Sequence, residues 1–501
     1  MGQDIEKEDF AEADYQRFDA QLQDDLAALQ QVLERPDFGA GETTIGAELE
    51  LNLIDAAAQP LPYNREILAA LGDPRVKLEL DRFNLELNCS PLPLRGSPFA
   101  QLGAELTELL QRVTAAAREH GGRVAMIGIL PTLATEHLQP EALTDTARYR
   151  ALSAGLRRLR QGPLRLQIDG PEPLELDWDD VTFEGANTSL QVHLRVAAAD
   201  FADTYNAAQL AAAPVLAGAG NAPLFLAHQL WAETRIALFR QAVEDRLDSS
   251  EAEWRPARVS FGNGWVRRSA LELFTESARL HPTLLPVAST EPDPLAVARA
   301  GGVPELQALR LHHGTLWRWN RAIYDPHGGG HLRIELRSLP AGPTVADMLA
   351  NAAFALGLTL GLRPQIESLL GGLTFGQARR NFYAAARHGL DAELLWPCRS
   401  PLSPQPRAAG ALIEELLPVA RAGLLAARVA AEEADAHLSV IAARVRSGQT
   451  GASWQRQTLA VLERELPRPR ALAAMLERYL ACAATRAPVH SWPSASPDRP
   501  R

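Results

Sequence analysis

The sequence predicts an α+β fold, in which antiparallel strands form a sheet with helices packed on one side. The first observation is "TTIGAELELNLID", residues 43–55, where apolar and polar side chains alternate as in a strand with one buried face. The second is that this design recurs at 78–88, 188–196 and 331–339. The third is that the chain is mostly helical from Thr344 to about 485. Strands and helices segregated in this way are typical of the α+β class.

The other predicted elements follow in chain order. Leucines at helical spacing predict an amphipathic helix over 14–35, ahead of the first strand. A second helix is expected over 97–120, with Ser97 as its N-cap, Pro98 at its first position and Gly121 just past its end. The expected domain organisation is an N-terminal helix region, a catalytic domain, a helical C-terminal extension and a disordered proline- and serine-rich tail, at 1–40, 41–397, 398–485 and 486–501 respectively.

Composition excludes several classes of function. The chain has 501 residues and a net charge of −11, which argues against broad electrostatic binding to nucleic acid or to anionic membranes. Lys7 and Lys77 are the only lysines, so Schiff-base chemistry has almost no candidates, and no P-loop pattern occurs. A small anionic substrate remains compatible, if local arginines or a metal ion bind it.

Cysteine spacing and hydropathy indicate the compartment. Three isolated cysteines, Cys89, Cys398 and Cys482, show no zinc or redox spacing and fit a reducing cytoplasm. The acidic N-terminus is unlike a signal peptide. The longest uncharged run, 206–232, contains prolines and glycines and is interpreted as buried helix and loop rather than a membrane span. We therefore expect a cytoplasmic protein without membrane or nucleic-acid partners; the oligomeric state stays open.

The polar faces of the predicted strands carry an unusual set of side chains. An ordinary solvated sheet face is richer in Thr, Ser and mixed charges. Here the faces collect carboxylates, one imidazole and several arginines: Glu48 and Glu50; Glu86, with Asp81 just upstream; Gln191, His193 and Arg195; and Arg333, Glu335 and Arg337. For each strand taken alone, the solvated face of a sheet is the more common explanation of the pattern. If the strands are neighbours, so many carboxylates need a counter-ion.

The chemistry of that set indicates the counter-ion. Oxygen ligands with a single imidazole suit Mg²⁺ or Mn²⁺, whereas Zn²⁺ would favour more His or Cys. Arginines beside such metals are what a polyphosphate or an acyl phosphate requires.

Several segments resemble one family. "GAELEL" (46–51), "TSLQVHLRV" (188–196), "GNAPLFLAHQLWAETR" (220–235), "HLRIELRSLPAGPT" (331–344) and "AARHGLDAELLWP" (385–397) are similar to motifs of the carboxylate–amine ligases of the glutamate–cysteine ligase type, which share the glutamine-synthetase catalytic fold. The resemblance implies a curved antiparallel sheet, a half-funnel with helices on its outer face. It also implies a reaction in which ATP phosphorylates a substrate carboxylate and an amine displaces the phosphate. Glutamate and cysteine, a pair that belongs to glutathione biosynthesis, are the default substrates, with another amine as the alternative.

The resemblance also implies roles for individual residues. The metal ligands would be Glu48, Glu50, Glu86, His193 and Glu335, with Asp81 as a further candidate. Glu335 would bridge metals, Arg337 would neutralise the transferring phosphoryl group, and Arg235 would bind a substrate carboxylate or phosphate. Gln191, Arg333 and Arg321 would face the nucleotide, while Arg318 and Arg321 are candidate substrate anchors or plain surface arginines.

Two features leave the substrate end open. Family members often continue the Glu-x-Arg strand into an acidic residue, where this chain has Pro340. The polar segment "RSGQTGASWQRQ", 446–457, is either a lid over the site or an interhelical loop. A metal-dependent hydrolase or phosphotransferase, and an inactive relative that acts as a binding module, are the competing hypotheses.

Overall fold

A computed structural model describes residues 5, 7–160, 162–246, 255–398 and 403–493. The largest sheet has the strand order β13-β14-β8-β1-β3-β2, and β4 and β5 also pair with β1. Every pairing within this sheet is antiparallel. The strands are β1 Thr44–Ile54, β2 Val76–Leu78, β3 Asn84–Asn88, β4 Leu92–Pro93, β5 Arg123–Ala125, β6 Leu164–Ile168, β7 Leu174–Trp178, β8 Ser189–Val196, β9 Leu224–Phe225, β10 His228–Gln229, β11 Val259–Ser260, β12 Trp317–Arg318, β13 Asn320–Asp325, β14 His331–Pro340, β15 Glu393–Trp396 and β16 Gln405–Ala408.

The helices surround this sheet and fill the C-terminal third. Those in the described residues are Glu12–Leu33, Asn64–Leu71, Pro98–Glu119, Ala147–Arg160, Thr182–Gly185, Phe201–Ala219, Arg235–Ala242, Leu271–Leu280, Pro294–Arg299, Gln307–His313, Val345–Leu362, Ile366–Gly372, Phe375–His388, Ala409–Ala426, Ala431–Ser447, Gly451–Leu462 and Arg468–Ala484. The predicted N-terminal helix and the helix after Ser97 are confirmed to within two residues.

The apolar face of the sheet is the centre of the core. Alternate residues of the central strands, such as Leu49, Leu194 and Ile334, are at most 1% exposed. They lie in one hydrophobic cluster with the helices Phe201–Ala219 and Val345–Leu362. The curled antiparallel sheet with helices on its apolar face confirms the predicted α+β fold class. The opposite, polar face is thereby left to form a site.

The helical region Val345–Gly372 is long and apolar enough to cross a membrane by length and composition alone. Its most apolar window is 78% buried inside the protein. This is the pattern of a core helix, because neighbouring helices cover its surface.

The C-terminal extension is joined to the core by a buried ion pair. Arg444 donates from Nη2 to Asp347 Oδ1 at 2.8 Å and from Nη1 to Asn351 Oδ1 at 2.6 Å, and both charged side chains are at most 1% exposed. Removing one partner of such a pair leaves an uncompensated buried charge. The extension is therefore packed as an integral part of the molecule.

The chain end is ordered further than the composition suggested. We expected a disordered tail over 486–501, yet the Trp492 ring packs edge-on against Trp454 and Tyr479. Gln449 Nε2 also donates to the carbonyls of Val489 and Trp492, at 2.7 and 3.0 Å. These contacts order the tail through residue 493, because one aromatic residue supplies enough burial to anchor a polar segment. Residues 494–501 lie outside the described part of the chain.

Candidate active site

Strand β1 positions Glu48 and Glu50 on the polar face of the sheet. Antiparallel register places Glu48 beside Gln191 of β8 and Asn88 of β3, and places Glu50 opposite Glu86. Every second side chain of a strand points to the same face of the sheet, and directly paired residues share a face. The predicted alternation therefore places all of these polar groups together. The strands β14, β8, β1 and β3 are therefore neighbours, and their polar side chains form one surface.

Three residues, which we call the histidine group, come from three adjacent strands: Glu48, His193 and Glu335. His193 Nε2 lies 3.1 Å from Glu48 Oε1 and 3.8 Å from Glu335 Oε1. The candidate ligand atoms of all three residues lie within 4.8 Å of one another, and all three side chains are buried. Register explains the proximity, since His193 is the direct cross-strand partner of Glu335.

Two arginines neutralise the histidine group. Arg321 donates to both oxygens of Glu335, from Nε at 2.7 Å and from Nη2 at 3.1 Å. Arg337 Nη1 lies 3.1 Å from Glu335 Oε2. Burial would raise the pKa of Glu335, but the charges of Arg321, Arg337 and His193 hold it well below its usual range. Glu335 is therefore a carboxylate in the folded protein.

A second cluster, which we call the carboxylate group, consists of Glu50, Glu79 and Glu86. Their candidate ligand atoms also lie within 4.8 Å of one another. Burial and the charge of Glu48 raise the pKa of Glu86 to about 7. Burial and the charges of Glu86, Glu50 and Glu184 raise the pKa of Glu79 well above its usual range. This cluster carries more negative charge than its surroundings balance.

Gln191 links the two groups. Its Nε2 donates to Glu50 Oε1 at 2.8 Å, while its Oε1 accepts a hydrogen bond from Arg337. Glu50 Oε2 also accepts from the Ser189 amide and hydroxyl, at 2.7 and 3.0 Å. Gln191 was expected to face the nucleotide; the structure places it on the polar face, between a carboxylate and the arginine expected to bind a phosphoryl group.

The residues fit a divalent cation. Glu48 Oε2 is buried and has no hydrogen-bond partner, although a buried carboxylate oxygen without a partner costs free energy. The donor set is oxygen-rich with one imidazole, the combination that suits Mg²⁺ or Mn²⁺ better than Zn²⁺. The Glu48, His193 and Glu335 side chains could hold one ion, and Glu50, Glu79 and Glu86 another.

The remaining predicted residues divide into those near the site and those away from it. Arg235 is 2% exposed, and its charge lowers the pKa of Glu50, which burial raises overall. Arg333 forms an ion pair with Asp325 at 3.0 Å and, with Arg321, lines a cavity of about 240 Å³ that also borders Glu48, His193 and Glu335. This cavity is large enough for part of a nucleotide.

Two further candidates, Asp81 and Arg318, lie outside both groups. Arg318 lies on β12, outside the main sheet, and pairs with Glu276 at 2.9 Å. Asp81 is fully buried between β2 and β3, where neither carboxylate oxygen has a hydrogen-bond partner. An added Cβ on Gly185 would lie 2.4 Å from the Asp81 carboxyl carbon. Asp81 belongs to neither group, because it lies in the turn where strand alternation stops.

Sequence reasoning missed Glu79 and Glu184. Glu79 follows β2 at the same parity as Lys77, in "KLEL", so the alternation did carry a signal. Glu184 lies in the short helix Thr182–Gly185, which no strand pattern would indicate. Burial and the charge of Glu50 raise the pKa of Glu184 to about 8. The site is thus more acidic than the four predicted strands alone suggested.

Within the 446–457 segment, residues 448–450 form a turn between two helices, which favours the interhelical-loop alternative over the lid. Gly448 ends the helix Ala431–Ser447 in the left-handed conformation, and the Thr450 side chain caps the helix Gly451–Leu462. Gln449 and Thr450 are at most 9% exposed. A buried, capped turn of this kind has little freedom to open.

Comparison with known proteins gives the family. The profile described as Glutamate-cysteine ligase family 2 matches residues 44–471. The putative glutamate–cysteine ligase 2-2 of Mycolicibacterium vanbaalenii is 32% identical over 108 residues, which are 21% of this chain and 28% of that relative. The matched stretch thus spans less than a third of the relative's length.

The fold has a counterpart among solved structures. Glutamate–cysteine ligase from Francisella tularensis, solved in complex with AMP, aligns with a TM-score of 0.55 and 13% identity over 91% of each chain. This likeness supports the fold alone. The profile, however, covers most of the 501-residue chain and the strands that carry both groups, and the protein therefore belongs to Glutamate-cysteine ligase family 2.

Proposed function

We propose that this protein is an ATP-dependent carboxylate–amine ligase, which forms an amide through an acyl-phosphate intermediate. The observation that carries the proposal is the convergence of two acidic groups and Arg337 on the polar face of one sheet. Phosphoryl transfer needs mainly positioning and neutralisation of the phosphate charge. Family membership supports the same chemistry.

The chain's own residues divide this work. Mg²⁺ or Mn²⁺, when bound, would supply positive charge that neutralises the phosphates of ATP. Glu48, His193 and Glu335 would hold one ion, and Glu50 and Glu86, with Glu79, would hold another. Arg337 would stabilise the charge that develops on the transferring phosphoryl group. Its hydrogen bond to Gln191 and its ion pair with Glu335 restrict its position before substrate arrives.

The arginines at the edges of the site would select the substrates. Arg333 and Arg321 border the cavity next to the histidine group and would face the nucleotide. Arg235 would bind a substrate carboxylate or phosphate. Glutamate, reacting through its γ-carboxylate, with cysteine as the amine, is the proposed pair, and another amine is the alternative.

The test measures ADP release from ATP and Mg²⁺ with a panel of amino acids and amines. We expect release to require both a carboxylate substrate and an amine, and mass spectrometry to show the amide. Glu48→Gln should abolish release while the protein stays folded. Glu119→Gln, at an exposed helix end, is the matched control and should retain full activity.

Two results would contradict the proposal. ADP or phosphate release that ignores the amine panel would instead indicate a metal-dependent hydrolase or phosphotransferase. Near-normal activity of Glu48→Gln would remove the metal assignment on which the mechanism depends.

A further inference from the structure

A buried polar network connects the C-terminal extension to Arg235. Arg235 donates from Nε to Glu233 Oε1 at 2.7 Å and from Nη2 to the Ser338 carbonyl at 2.8 Å. Ser338 directly follows Arg337, so the second bond ties Arg235 to the strand of the active site. Two of the three nitrogens of the guanidinium are thus held by residues of the protein.

Glu233 is held in turn by Asn221. The backbone N–H of Asn221 donates to Glu233 Oε2 at 2.9 Å, and both residues are fully buried. Asn221 Nδ2 donates to the Ala341 carbonyl at 2.8 Å, just beyond the same β14 strand. Asn221 therefore positions Glu233 and the end of the Glu-x-Arg strand together.

Asn221 is itself positioned by the C-terminal helices. Its Nδ2 donates to the Tyr479 hydroxyl at 2.8 Å, and that hydroxyl donates to the Met126 carbonyl at 2.8 Å. Gln455 Nε2 donates to the Asn221 backbone carbonyl and to Oδ1, at 3.1 and 2.9 Å. Tyr479 and Gln455 are both fully buried.

The helix that begins at Gly451 packs closely against the Asn221 side chain. A Cβ added to Gly451 would lie 2.0 Å from Asn221 Oδ1, so only glycine fits at this start of a helix. The next residue, Ala452, donates its amide to the Gly220 carbonyl at 2.8 Å. A buried hydrogen-bond network of this kind restricts the positions of its members.

We propose that Gln455 and Tyr479, acting through Asn221 and Glu233, position the Arg235 guanidinium for substrate, so that the C-terminal extension is part of the active-site framework. The proposal rests on the proposed function, in which Arg235 binds a substrate carboxylate or phosphate. Tyr479 and Gln455 are positioning residues, because they reach the site only through other side chains. The exact position of the Arg235 guanidinium matters because small displacements of a binding group reduce catalysis strongly.

The test is a double-mutant cycle between Tyr479→Phe and Arg235→Lys. Tyr479→Phe keeps the aromatic packing but removes one donor and one acceptor. We expect about a tenfold rise in KM for the carboxylate substrate, with a smaller change in kcat, because the Asn221 side chain loses the hydroxyl that accepts its hydrogen bond. In the Arg235→Lys background the same change should raise KM less than twofold, since residues that act as a unit are not additive.

Tyr205→Phe is the matched control. It too removes a fully buried tyrosine hydroxyl that donates to a backbone carbonyl, that of Asn320 at 2.8 Å. It should lower the free energy of unfolding comparably and leave KM unchanged within twofold. Gln455→Met removes the second contact with Asn221 and should raise KM by a similar factor. It replaces Tyr479→Phe in the test if that variant does not fold.

The outcomes separate the two proposals. A wild-type protein without amine-dependent ADP release refutes the proposed function, and with it the substrate role of Arg235. An active wild type whose KM losses are additive between Tyr479 and Arg235 overturns the positioning role. The same KM change in Tyr205→Phe also overturns it, because that change would then follow from lost stability alone.

Discussion

The histidine group and the carboxylate group lie on the same sheet face, yet they differ in how their charge is balanced. Glu335 is paired with Arg321 and Arg337. Glu79 and Glu86 have no arginine partner among the described residues, and burial together with neighbouring carboxylates raises the pKa of each. Ion pairs therefore balance the Glu335 carboxylate of the histidine group without metal. The carboxylate group stores repulsion that a cation would relieve.

The largest expected effect is on turnover and stability when one carboxylate of each group is replaced. Glu335→Gln should reduce turnover at least about a thousandfold and also destabilise the protein by about 3 kcal/mol, because it leaves Arg321 and Arg337 buried with a weaker partner. Glu86→Gln should reduce turnover but leave metal-free stability equal or higher. Urea unfolding in EDTA measures the difference. Equal destabilisation of both variants would contradict the comparison.

The next effect distinguishes arginines inside and outside the site. Arg337→Lys should lower kcat about a hundredfold, since an ammonium cannot contact Glu335, Gln191 and a phosphate with the same planar geometry. Arg318→Lys, which alters the pair with Glu276, should change kcat less than threefold. Steady-state kinetics with saturating ATP checks both. A large loss in Arg318→Lys would restore it as a substrate anchor.

Metal binding should stabilise the protein measurably without any substrate. Mg²⁺ or Mn²⁺ at about a hundred times its Kd should raise the free energy of unfolding by about 2.7 kcal/mol. The increase should fall in Glu86→Gln, where one of the ligands is weakened. Thermal unfolding with and without the ion, with Ca²⁺ as a comparison, measures it. No shift in the wild type would argue against the cation sites.

Asp25, on the helix Glu12–Leu33, is a buried carboxylate outside both groups and should show a smaller effect. Burial raises its pKa to about 7, although its Oδ2 accepts from the Leu309 amide at 2.9 Å. The folded protein therefore binds the proton more tightly than the unfolded chain does. The stability that comes from protonated Asp25 is fully present below pH 4 and is lost as the pH rises toward 7. Asp25→Asn should flatten this dependence, with a gain of about 2 kcal/mol at pH 8.

Urea midpoints at pH 5 and pH 8 measure the Asp25 effect. Asp24→Asn, at an exposed position on the same helix, is the control and should change the pH dependence only slightly, because its charge makes the smallest contribution to the raised pKa of Asp25. A pH profile of Asp25→Asn that matches the wild type would show that other groups dominate.

Much of the site was predictable because strand alternation is a local property. Glu48, Glu50, Glu86, His193 and Glu335 were assigned to polar faces from period two alone. Strand alternation gives no such information where the chain leaves the regular strands of the main sheet. Asp81 lies in a turn, Arg318 lies outside the main sheet, and Glu184 lies in a short helix.

The sequence by itself determined the fold class and the faces of the strands, because apolar periodicity fixes which side chains a sheet must bury. Only the tertiary structure decided which strands are neighbours, and hence that His193 opposes Glu335 and that Arg321 neutralises it. It alone connected Tyr479 to Arg235, residues 244 positions apart in the chain, through Asn221. Such contacts depend on how distant elements pack against one another, and no local pattern records that.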